Sequence, residues 1–453
     1  MRFGRPRGDQ KRVFVAGTIV SLCVLALLVV VGMTVAEGGG DEDGGRVRIT
    51  VQMFEGPESA AMVPTARYWN THYADTTGIE VETTALNRVG YFDKLEIGLI
   101  SGRDTPDIVH PFSLHLGRID RYLEPLDGYL AEREVMTAPD GSRLSLDSLL
   151  PIALDAVRHP DGRTYMIPTD MSQFLLYYRK DLIADPPDTW ADYEALAKQF
   201  TRALNPDSPT RYGTIMQGKY EVWTFCAALQ NIWSAGVDVF APMTRDDRAR
   251  LQESLRTFET LARDGVLPPE SAFAEYPQVA ATIQRGEVAM AIQWNAFYPV
   301  LMDEERSPKV HDRFEIAPPP GVRTADGTVT RANYMHTINL AINRASAHKR
   351  AAARFLTWAT LGEGAAIYAR AGGAPPVKSI WHNVERSDYY PRLLRWLNAF
   401  GRTTPAHPRL PEMMMVGSGW IQRIMVGNAT AEQAAMGLHL DLQRARFAAE
   451  PVP

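Results

Sequence analysis

The chain has 453 residues, 22% of them charged and 9% aromatic, which is too much sequence for a single core and an ordinary composition for about two or three globular domains. A formal net charge of -5, with basic residues spread along the chain, leaves no cationic footprint for nucleic acid. Of the two cysteines only Cys226 lies beyond the N-terminal segment, so no internal disulfide is expected and stability must come from packing.

Arg2, Arg5, Arg7, Lys11 and Arg12 precede residues 13–36, which carry no charge and are long enough to span a bilayer. Thr34, Val35 and Ala36 offer a small-residue cleavage site, so a retained membrane-targeting helix and a cleaved signal both fit. Either way the protein is expected to be exported, to the periplasm or the outer face of the cytoplasmic membrane. Leu22 stands before Cys23 where lipidation needs a small residue, which weighs against a lipid anchor there. Residues 37–45 (EGGGDEDGG) cannot bury apolar surface and read as a flexible tether.

In chain order, Val47, Ile49, Val51 and Met53 alternate with polar residues and predict a first strand. A helix over 64–73 and a strand over 78–81 complete a βαβ start, and 107–109 is a further short strand entered from Asp104, Thr105 and Pro106. Residues 174–178 (FLLYY) predict a strand covered on both faces, with Thr169, Asp170, Ser172 and Gln173 at its beginning. Leu251, Leu255, Phe258 and Ala262 form one helical stripe; Ala352, Phe355, Leu356 and Ala359 form another, capped by Ser346. Residues 287–294 predict a strand that delivers Trp294 at its end, and 339–343 one more.

Several motifs lead nowhere. Residues 213–219 (GTIMQGK) have phosphate-loop spacing, but Tyr220 replaces the hydroxyl residue that would ligate magnesium. His110 and His115 lack zinc-site spacing, and Gly417-Ser418-Gly419 is an incomplete nucleophile elbow. No metal or other cofactor is implied. The pairs Tyr177-Tyr178 and Tyr389-Tyr390 raise ferric iron as an alternative, but neighbouring strand residues face opposite ways, so Tyr177 and Tyr178 should not converge on one ion. Trp223, Trp233, Trp294 and Tyr334 fall near predicted element ends, where rings stack on sugar faces while neighbours such as Asn295 bond hydroxyls.

The chain resembles the extracellular solute-binding proteins, the sugar-type receptors of ABC importers. The carriers are 56–58 (GPE), 100–108 (ISGRDTPDI), 123–127 (LEPLD), 167–168 (IP) with 175–181 (LLYYRKD), and 187–190 (PDTW). Further on come 286–294 (GEVAMAIQW), 316–321 (IAPPPG), 340–343 (LAIN), 355–358 (FLTW) and 372–375 (GGAP). The resemblance implies an α/β, two-lobed periplasmic-binding-protein-like fold of type II that closes by hinge motion, and a monomeric receptor delivering a small-molecule sugar to ABC permease subunits. Lobe 1 would take 46–171 and about 340–374, and lobe 2 would take 172–339 and about 375–453. Crossovers are then expected near Ser172, Ile338 and Ala374.

Carried over by position, the pocket would draw on Glu55, Glu58, His110, Asp170, Ser172, Gln173 and Gly373, with Trp294 as the stacking ring. His336-Thr337-Ile338 stands where many relatives have Gly-Gly-Trp, so Tyr334 or His336 would supply the second ring. A non-enzymatic receptor is the leading reading because no nucleophile and base pair is evident. The alternatives are a glycoside hydrolase with Glu55 and Asp170 as its carboxylates, and a membrane-tethered sensor without a transport partner.

Overall fold

The computed structural model describes residues 45–88, 90–102, 106–382 and 388–447. The apolar stretch 13–36 with Cys23, nearly all of the tether, and Asp104 and Thr105 lie outside the described residues. Met1–Arg46 separates as a unit from Val47–Pro453. Among the described residues no helix is long and apolar enough to cross a membrane.

Alternation in β1 (Val47–Phe54) buries Ile49, Val51 and Met53 and turns Arg48, Thr50 and Gln52 outward. α1 (Pro57–His72) returns the chain to β2 (Ile79–Leu86), parallel to β1 along its whole length. α2 (Tyr91–Ser101) then leads to β3 (Ile108–Val109), parallel to β1 on its other edge. The βαβ start is thus as expected, but α1 begins earlier than the sequence suggested. Pro57 is the proline in the first turn, where its missing N–H costs nothing, while Pro64 sits inside the helix on a half-exposed face.

β4 (Ile167–Arg179) has 13 residues, every one of them buried. Thr169, Asp170, Ser172 and Gln173 therefore lie within the strand and not at its beginning, because pairing reaches back to Ile167. The second half of the fold is built on β5 (Tyr212–Ile215), α3 (Val222–Ser234), α4 (Arg245–Arg263), α5 (Tyr276–Gln284), β6 (Val288–Trp294) and β7 (Phe314–Ala317). β8 (Asn333–Ile342) extends six residues upstream of the predicted 339–343. The chain continues through α6 (Lys349–Leu361), α7 (Glu363–Arg370), α8 (Tyr389–Phe400), α9 (Leu410–Met425) and α10 (Ala431–Phe447). Ser346 does not occupy the N-cap of α6, which is His348; its Oγ accepts from the His348 N–H (3.0 Å) and donates to Asp107 Oδ1 (2.5 Å).

The main sheet runs β2-β1-β3-β8-β4-β6-β5. Its two long strands join the lobes. β8 pairs antiparallel with β3 at Ala341 and Ile342, and with β4 from Met335 to Leu340. β4 leaves β8 after Gln173 and pairs with β6 and β7. Within the β4–β8 ladder the register shifts between Ile338 and Asn339. There both the backbone N–H and the Nδ2 of Asn339 donate to the Pro111 carbonyl at 3.0 Å.

One apolar core packs β1 and β2 against α1, α6 and α7, with Trp69 edge-on to Phe355 and Trp358 at centroid separations of 5.5 and 5.1 Å. Another packs β5, β6 and β7 against α5 and α8 through Ile215, Ile283, Ile316, Leu393 and Leu397. α3, α4, α9 and α10 share a third cluster that reaches across the cleft to Phe54 and Phe112. The molecule is a two-lobed α/β protein whose lobes meet over the sheet crossing.

Candidate functional site

Where β4 and β8 pass between the lobes, a cavity of about 20 Å³ is lined by Glu58, Phe112, Ser172, Trp223, Trp294 and His336, together with Phe54, Arg88 and Tyr276. Each lobe contributes. Glu58 lies in the first turn of α1, Phe112 follows β3, Trp223 opens α3, and Trp294 ends β6. A second cavity of about 10 Å³ shares Pro57, Glu58 and Ala296 with the first and adds Asp170, Asn295, Gly373 and Tyr390. Spaces of this size hold a water molecule or so, whereas drug-sized ligands occupy roughly 300 Å³ or more, so a ligand must part the lobes or displace side chains.

The aromatic rings fill one another's space. Trp294 stacks on Phe174, its partner across the β4–β6 ladder, at 3.7 Å between centroids, and stands at 90° to Trp223 at 5.8 Å. His336 lies 5.0 Å from Phe112, 5.4 Å from Trp223 and 4.9 Å from Trp294. Of the two candidates for the second ring, His336 lines the cavity, whereas Tyr334 lies beside it on the same strand face, 6.1 Å from Trp294, and stacks on Trp233 at 5.9 Å. Trp233 itself lies under Arg402.

The polar groups divide into those already engaged and those without protein partners. Asn295 ties β6 to β4, accepting the Gln173 N–H on Oδ1 (2.8 Å) and donating from Nδ2 to the Met171 carbonyl (3.3 Å). Gln173 Oε1 accepts from Asn333 Nδ2 (2.9 Å), which leaves its Nε2 without a partner. Asp170 Oδ2 accepts the Ala374 N–H (2.7 Å) and the Tyr368 hydroxyl (3.1 Å). Glu58 Oε2, both ring nitrogens of His110 and Nδ1 of His336 have no partner. Burial holds both imidazoles neutral by lowering their pKa values to about 3. Burial also raises Glu58 and Asp170 above the ordinary carboxylate range, and for Glu58 the neighbouring Asp170 adds to the rise.

Glu55 is not brought into this cluster: its side chain is exposed, and its N–H donates to the Leu86 carbonyl. It is therefore poorly placed to act with buried Asp170 as a pair of glycosidase carboxylates. Gly373 accepts the Tyr390 hydroxyl on its carbonyl (2.7 Å), and a Cβ there would fall 2.0 Å from the Tyr368 ring, so the close approach demands glycine. Tyr177 donates to the Trp294 carbonyl and packs on Phe297, while Tyr178 belongs to a different apolar cluster. The two phenols face apart, as strand geometry requires.

Sequence reasoning missed Arg88, Glu275, Tyr276, Phe54 and Phe112. Arg88 Nε reaches Glu275 Oε1 across the cleft at 2.6 Å, with its guanidinium carbon 5.4 Å from the Phe54 ring and 5.6 Å from Tyr276. Arg118 makes a second crossing, to Glu412 of α9. No local sequence pattern marks these residues, which become neighbours only in the fold.

The family model described as "Bacterial extracellular solute-binding protein" matches residues 57–366, more than half of the chain, and the protein belongs to that family. A mannitol-binding protein of Pseudomonas aeruginosa is 25% identical over 346 residues, 72% of this chain and 70% of its own. A maltooligosaccharide ABC transporter solute-binding lipoprotein of Streptococcus pneumoniae is 28% identical over 190 residues, 42% of this chain and 40% of its own. Among solved structures, maltose-bound MalE3 of T. maritima shares the fold with a TM-score of 0.73, over 87% of this chain and 99% of that one, at 22% identity.

Proposed function

We propose that the protein is the extracytoplasmic receptor of an ABC importer, taking a sugar or polyol between its lobes and delivering it to membrane permease subunits. The observation that carries this is the convergence of Trp223, Trp294, His336, Ser172 and Glu58 on one cavity at the crossing of β4 and β8. Rings supply an apolar face for the carbon side of a sugar, and the partnerless polar atoms of Glu58 and His336 supply acceptors and donors for hydroxyls. The mannitol and maltooligosaccharide relatives support the same ligand class.

In this reading the N-terminal basic and apolar segment exports the chain and either anchors it or is removed. The lobes hinge near Ser172, Ile338 and Ala374, and the register shift beside Ile338 is the natural place for β8 to bend. The protein binds without catalysis. A thermal-shift screen against mono- and oligosaccharides and polyols tests the proposal, because a ligand of the native state raises the melting temperature with the logarithm of its concentration. No shift with any of them would refute it, and accumulation of reducing ends from oligosaccharides would show an enzyme instead.

A further inference from the structure

Buried carboxylates are ordinarily matched by a cation, because an unpaired charge loses its hydration without recompense. Glu58 and Asp170 are 7% and 2% exposed, and among the described residues neither forms an ion pair. They come from different parts of the fold, the first turn of α1 and the middle of β4, yet line one small cavity together. Asp170 has its two neutral donors, whereas Glu58 Oε2 has none. Arg88, the cation that acts on Glu58, is already held by Glu275.

We propose that Glu58 and Asp170 form an ammonium subsite, so that the ligand is a polyhydroxylated compound carrying a protonated primary amine. The inference rests on the sugar or polyol reading above and narrows it. Tyr389 and Tyr390 of α8 line the same cavity, and aromatic faces attract ammonium groups through the ring quadrupole. Tyr276 of α5 and Tyr368 of α7 also face Glu58, and with Arg88 and Asp170 they are the titratable and charged groups around it. Without a cation, burial raises both carboxyls and Asp170 raises Glu58 further, so that the pair favours a bound proton; an ammonium nitrogen takes the place of that proton.

The test is calorimetry at pH 6.5 on the full-length protein with matched neutral and amino compounds, such as sorbitol with 1-amino-1-deoxysorbitol and glucose with glucosamine. The amino member of at least one pair should bind tenfold or more tighter, on the order of what a buried charge pair contributes. Glu58→Gln should bring that ratio close to one, and Glu58→Asp, which keeps the charge, should preserve a preference. Neutral members binding as tightly as their amines, or a ratio unchanged in Glu58→Gln, would overturn the ammonium subsite alone. Failure of every compound of both kinds would overturn the sugar and polyol reading, and this inference with it.

Discussion

Replacing Arg88 by methionine tests whether the cleft is held shut from its rim. The Arg88–Glu275 contact joins the β2–α2 connection of one lobe to the start of α5 in the other, and its side chains are 24% and 8% exposed. A hydrogen bond between charged groups so shielded contributes about 1.5–3 kcal/mol, and the flanking Phe54 and Tyr276 rings about 0.5–1 kcal/mol more. Lys219, 3.9 Å from Glu275, offsets part of the loss. A net change of about 2 kcal/mol corresponds to roughly a 30-fold shift towards open lobes, provided the contact exists only when they are closed. Small-angle scattering on the ligand-free variant should give a larger radius of gyration than the wild type, and calorimetry a dissociation constant up to about 30-fold weaker. If both quantities match those of the wild type, the ion pair is not a latch and the reasoning fails.

Trp294→Ala removes a ring stacked on Phe174 and edge-packed on Trp223, so it should cost about 3–5 kcal/mol of folding stability as well as affinity, whereas Trp223→Ala should weaken ligand binding with a smaller loss; melting curves beside titrations separate the two. For Glu58, a carboxyl whose pKa is raised by folding stabilises the folded state fully below its unfolded value of 4.5 and loses that contribution as pH rises through the folded value. The melting temperature of Glu58→Gln should therefore gain on the wild type between pH 4 and pH 8, and a constant difference across that range would show that burial of this group is not felt. Gly373→Ala pushes a methyl group into Tyr368 and should destabilise by about 1–3 kcal/mol, which thermal unfolding would register; an unchanged midpoint would mean that the tyrosine swings aside freely.

Period-two alternation made β1 legible because one face is buried and the other is wet, and continuous apolarity did the same for residues 174–178 of β4 and for β6. The strand ends were misplaced, β4 being begun after Gln173 and β8 at Asn339, because Asp170, Gln173 and Asn333 are buried in partnership with groups far away in sequence, which no local pattern records. Trp294 and His336 were found through their place in short patterns, and they do meet at the cavity. Arg88 and Phe112 were not found, since a rim cation and a loop ring become neighbours of the cleft only when the second lobe arrives. The predicted helix opened at Pro64, whereas the proline in the first turn is Pro57 and Pro64 sits inside α1 on a half-exposed face.

Because β8 reaches β3 at one end and β4 along the rest, and β4 continues to β6 and β7, no single stretch of chain owns a complete half of the sheet. A fragment ending before β8 would expose bare ladder edges on both β3 and β4, and a fragment starting after β4 would lack the template on which β6 and β7 assemble. Domain shuffling by simple truncation is thereby closed to this architecture. Interchange of ligand specificity between relatives must proceed by substitution within the cleft, or by trading several separated segments at once.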